Sequence, residues 1–93
     1  MNRQDKIKWV EEYLKTEDQF VDVLNRKFID DYIDQFNPRY GLTNYGANKC
    51  PDAAKTLKIG YDQCVFQRQR AGITCGYSGM PRWVYVYSLP AKK

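Results

Sequence analysis

Arg68 and Arg70 stand two residues apart in a segment whose alternation puts both on one side of a strand, with Gln67 and Gln69 on the other. Guanidinium groups at that spacing suit a clamp on successive phosphates of a polyanion, and Arg82, which opens the returning segment, can join them. The plainer role of the same arginines is to keep an exposed sheet edge soluble. A second set lies just upstream: Asn48, Asp52, Lys55 and Thr56, with Ile59, are read as lying away from a face made by Cys50, Ala54, Leu57 and Tyr61, and Lys49 adds positive charge for DNA beside them. Asn can pair with adenine, Lys can donate to guanine and Asp can accept from the cytosine amino group, so this set has the chemistry of base reading. Asp52 equally suits the positive end of a helix without touching any ligand. Lys58 falls toward one flank and reads as a solubilising residue.

Catalysis needs a nucleophile beside a base, a carboxylate pair in a cleft, or a metal. Histidine is absent, and Cys50, Cys64 and Cys75 follow no zinc spacing. Cys50 and Cys64 fall in apolar patterns that suit core packing, whereas Cys75 lies in a loop. Asp30, Asp31 and Asp34 share a polar helix face, and the sequence around Gly72 lacks the Gly-Lys-Ser/Thr element of a phosphate loop. The expectation is a binding protein with no enzymatic activity, cofactor or metal.

At 93 residues, with 43% hydrophobic and 28% charged residues, the chain has room for one globular domain, taken as 1–93. No apolar run approaches the ~20 residues of a membrane span, and the N-terminus lacks a signal-peptide core, so a soluble cytoplasmic protein is expected. The net charge of +4 is unevenly divided. Residues 1–37 carry six Lys/Arg against nine Asp/Glu, a net −3, while residues 38–93 carry nine against two, a net +7. Cations that neutralise phosphates release counterions, so the basic half is the half suited to nucleic acid.

Periodicity supplies the elements that must position these residues. Asn2 as a polar cap with Ile7, Val10, Tyr13 and Leu14 predicts a helix over 3–15. Phe20 to Leu24 is β-prone and long enough for one short strand able to pair with a later hairpin. Asn25 caps a second helix over 26–37, with Phe28, Ile29, Tyr32, Ile33 and Phe36 on its apolar stripe and Pro38 ending it. A turn-rich stretch leads to a third helix over 49–63, with Pro51 in its first turn. The period then falls to two, predicting a hairpin over 64–89 with a pliable tip at Gly72, Gly76 and Gly79. Val84 to Tyr87 is apolar on both faces, which fits the middle strand of three. The fold class is therefore α+β, and no heptad or long terminal helix offers a dimer seam.

The order helix, short strand, helix, turn, helix, hairpin resembles the winged helix-turn-helix superfamily. The texture from Leu57 to Arg70, followed by Gly-Met-Pro-Arg-Trp-Val-Tyr-Val-Tyr-Ser-Leu over 79–89, is similar to small winged-helix proteins of bacteriophages and prophages. The resemblance implies binding of double-stranded DNA, with the third helix in the major groove and the wing on the backbone or minor groove, as in a transcriptional regulator. Asp52 and Ile59 depart from a standard reader, Ile59 being better suited to packing under the wing or on a protein. The alternative is a winged helix that binds and redirects a host protein through the acidic face of its first two helices or its aromatic hairpin.

Overall fold

The computed structural model describes residues 2–43, 48–74 and 81–90, so Cys75, Gly76, Gly79 and the basic pair Lys92 and Lys93 lie outside the described residues. Among the described residues, three helices and two small antiparallel sheets make up an α+β architecture. Among the described residues, no helix is long and apolar enough to cross a membrane.

Both polar caps act as their sequence suggests. Asn2 accepts from the Asp5 N–H at 2.9 Å and starts α1, Arg3–Thr16, whose buried face is Ile7, Val10, Tyr13 and Leu14. Asn25 accepts from the Phe28 N–H at 3.1 Å and starts α2, Arg26–Phe36. That helix stops where Asn37 turns left-handed at φ 49, a conformation Asn tolerates better than most residues, immediately before Pro38. Phe28, Ile29 and Tyr32 are sealed between the helices, each large side chain contributing about 1.5–3 kcal/mol by leaving water. Trp9, which the apolar spacing of α1 does not single out, joins them: its ring centre lies 5.2 Å from Tyr13 and 5.4 Å from Phe36.

The third helix begins later than the sequence predicts. Gly41–Leu42 and Asn48–Lys49 pair antiparallel as β1 and β2, Gly41 opposite Lys49 and Leu42 opposite Asn48. Asn48 and Lys49 are thus extended, and α3 runs from Pro51 to Asp62 with Cys50 as its cap residue. Proline at the first helical position fixes this start, because its missing N–H has no intrahelical partner to lose.

A four-residue connection after α3, residues 63–66, leads into β3, Gln67–Gly72, which pairs with β4, Trp83–Ser88, from Gln67 opposite Ser88 to Gly72 opposite Trp83. Val21 pairs with Tyr87, exchanging bonds of 3.0 and 2.7 Å. The chain after α1 therefore reaches the hairpin, although as a single bridge rather than the five-residue strand expected. β4 lies in the middle, as its two apolar faces suggest. Phe66 at the foot of the hairpin packs on Gly60, where an added Cβ would overlap the phenyl ring.

Candidate nucleic-acid interface

At 100° per residue, Pro51, Lys55, Lys58 and Asp62 fall in one narrow arc of α3, and all four are exposed. Ala53, Thr56, Leu57 and Gly60 form the buried arc opposite. Two flanks separate them, Asp52 and Ile59 on one side and Ala54 and Tyr61 on the other. The expected inward face of Cys50, Ala54, Leu57 and Tyr61 is thus rotated: Cys50 and Leu57 are buried, while Ala54 and Tyr61 are only partly covered.

That rotation removes Thr56 from the set of base readers. It is fully buried, its hydroxyl accepting from Arg3 at 2.7 Å, donating to the Asp52 carbonyl at 3.1 Å and lying 2.8 Å from the Tyr32 hydroxyl. Asp52 is likewise engaged inside the molecule. Its carboxylate takes Arg3 at 3.0 Å, Lys6 at 2.9 Å and the Tyr32 hydroxyl at 2.5 Å, pinning the first turn of α3 to α1 and α2. Burial alone would push this carboxyl up. The hydrogen bonds from Tyr32, Lys6 and Arg3 outweigh it and hold the pKa at about 2. Burial, then the Asp52 hydrogen bond, push the Tyr32 phenol up, so the hydroxyl remains a donor. A carboxylate holding three donors has little capacity left for a cytosine amino group.

Asn48 donates to Asp30 at 3.1 Å across the α2 to β2 contact, and Lys49 beside it is exposed. Lys55 is exposed and has no carboxylate partner among the described residues, whereas Lys58 pairs with Asp62 at 3.0 Å. Lys55 is therefore the unneutralised cation of the outward face of α3.

The hairpin keeps its arginines on the expected side. Arg68 lies opposite Tyr87 and Arg70 opposite Tyr85, and directly opposed residues share a face, so the arginines stand among Trp83, Tyr85 and Tyr87. The Arg68 guanidinium is 3.9 Å from the ring centre of Tyr61 on α3 and 4.0 Å from that of Tyr85 on β4. Arg70 lies 4.4 Å over Trp83, which is 39% exposed. Stacking fixes the faces of a guanidinium; Arg68 gives one N–H to the Tyr87 hydroxyl, and the in-plane N–H groups not so engaged remain for an anion. Arg82 is exposed, and its carbonyl accepts from the Ile73 N–H at 2.8 Å, carrying the ladder past β3.

Arg68 thus reaches α3 through Tyr61, one turn from Lys58 on the helix, a ring no spacing argument identifies as a link because it is in part a core residue. Cys64, expected in the core, is exposed in the turn between α3 and β3, while Cys50 is buried, as expected. Among the described residues, no group of three Cys, Asp or Glu side chains is placed to hold a metal. No family model matches the chain, and neither a curated protein nor a solved structure matches it.

Proposed function

We propose that the chain is a winged-helix DNA-binding domain that grips duplex DNA with the outward face of α3 and the arginine face of the β3–β4 hairpin, and that it acts as a small phage-type regulator. The observation that carries this reading is Arg68 stacked between Tyr61 and Tyr85, which ties the arginine face of the hairpin to α3. Support comes also from β4 in the middle of its sheet and from the excess of cations in residues 38–93. Phosphate contacts give affinity for any sequence, and the discrimination between bases falls to Asn48 and Lys49 at the edge of α3, in place of Thr56 and Asp52.

Titration of a random duplex at two salt concentrations tests the reading. Affinity should fall steeply with salt, and Arg70→Ala should reduce the slope of log affinity against log salt by about one unit, equally for all sequences. Weak binding that is indifferent to salt would refute it.

A second reading, a domain that captures a basic segment of a host protein, is favoured by a cleft of about 570 Å³ between α1 and α2 lined by Glu12, Glu17, Asp31 and Asp34. Lys27 pairs with Glu17 at 3.2 Å and Asp31 at 3.5 Å inside that cleft, which reduces its negative field and makes this the weaker account.

A further inference from the structure

On the side of α3 away from the hairpin, a concavity of about 560 Å³ opens at the first turn of the helix. Four cations from three segments line it: Arg3 and Lys6 from α1, Arg39 from the connection after α2, and Lys55 from α3. The carboxylate in its lining is Asp52, already shared between Arg3 and Lys6. Arg39 and Lys55 are exposed and have no carboxylate partner among the described residues. Four positive groups against one negative leave an excess of three charges in a shared recess, where their mutual repulsion falls when an anion enters. Arg3 and Lys6 belong to the half of the chain whose net charge is negative, so the site exists only in the fold.

Position within the helix specifies the anion. Asp52 and Tyr61 are nine residues apart, which at 100° per residue places them on opposite flanks of α3. Tyr61 faces the arginine hairpin and Asp52 faces the recess. The exposed arc with Lys55 and Lys58 is thus bordered by cations on both sides, the arrangement that a helix seated in a groove between two phosphate strands requires. Pro51 opens α3 at the recess, so the positive end of the helix dipole adds to the same field.

Resting on the duplex-binding reading, we infer that the recess formed by Arg3, Lys6, Arg39 and Lys55 is a phosphodiester site that takes the DNA strand across the major groove from the strand held by the hairpin. Arg39 and Lys55 close on the phosphate, while Arg3 and Lys6 are held in place by Asp52 and supply field. A free phosphate has the same chemistry, and the test separates the two sources.

The experiment compares the wild type, Arg70→Ala, the double variant Arg39→Gln with Lys55→Gln, and the triple variant that combines all three changes, with folding checked by thermal melting. Each protein is titrated with duplex DNA at several salt concentrations and, separately, with inorganic phosphate while the Arg side-chain resonances are followed. The double variant should lower the salt slope by one to two units, additively with Arg70→Ala, and a duplex with neutral methylphosphonate linkages opposite the hairpin strand should weaken the wild type but not the double variant. If the wild type binds duplex and Arg70→Ala lowers the slope while the double variant does not, the recess assignment fails and the duplex reading stands. If Arg39 responds to inorganic phosphate but not to duplex, the recess is a free-anion site and the assignment to DNA fails. If the wild type binds no duplex, both fail together.

Discussion

Phe66 lies against the bare backbone of Gly60, so that the ring occupies the space any side chain on that residue would need. The contact sits at the root of the hairpin, where the Val65 N–H also bonds the Gly60 carbonyl at 2.9 Å. The position of the arginine face relative to α3 therefore depends on a glycine within a helix.

Gly60→Ala decides between two opposed effects. Helix propensity favours alanine by about 1 kcal/mol, whereas displacing a buried ring in a packed core costs roughly 1–3 kcal/mol. Displacement should win, lowering the melting temperature. Gly72→Ala, at a position with open space around it, should not do so. An unchanged or raised melting temperature for Gly60→Ala would mean that Phe66 is not seated there.

Asp52 predicts how stability responds to acid. Its pKa is about 2 in the fold against an ordinary 3.8, because hydrogen bonds from Tyr32, Lys6 and Arg3 overcome the opposing effect of burial. The native state thus binds the proton less readily than the unfolded chain. The stabilisation is complete above about pH 4, where both states are ionised, and is lost as the pH falls through 2. A shift of this size corresponds to about 2 kcal/mol. In urea titrations between pH 7 and 2, Asp52→Asn should be less stable than the wild type at neutral pH by about that amount, and the difference should shrink toward pH 2. Parallel curves across the whole range would contradict the network.

Much of this architecture is legible in the sequence because large apolar residues repeat without ambiguity in α1, α2 and β4, and because Asn2 and Asn25 sit where caps are needed. α3 is harder to read. Its buried arc is made of Ala53, Thr56, Leu57 and Gly60, three of them small or polar, so the neighbouring Cys50, Ala54 and Tyr61 offer an equally good apolar pattern rotated along the helix. Thr56 looks like a surface residue until Tyr32 and Arg3, distant in sequence, surround its hydroxyl. β1 and β2, two residues each and largely polar or glycine, carry no alternation to detect. The hairpin arginines announce themselves by their spacing, whereas Arg39 lies in a turn-rich connection and acquires meaning only beside Arg3, Lys6 and Lys55.

Cys64 offers the last prediction, through the way α3 ends. Its φ of 64 is left-handed, its N–H bonds the Tyr61 carbonyl at 3.0 Å, and the next N–H, of Val65, bonds the Gly60 carbonyl. This pair of bonds is the Schellman closure of a helix, in which glycine ordinarily occupies the left-handed position because it has no Cβ to crowd the carbonyl. A cysteine there carries a backbone penalty of about 1–2 kcal/mol, and its exposed side chain returns little packing energy. Cys64→Gly relieves that penalty but also frees the unfolded chain, which opposes it by about 0.5–1 kcal/mol. The net expectation is a gain of up to about 1.5 kcal/mol in urea denaturation. Cys64→Val, whose branched Cβ is worse in this conformation, should lose stability. A Cys64→Val protein as stable as the wild type, or a Cys64→Gly protein clearly less stable, would show that the turn does not hold the left-handed geometry on which the start of the hairpin depends.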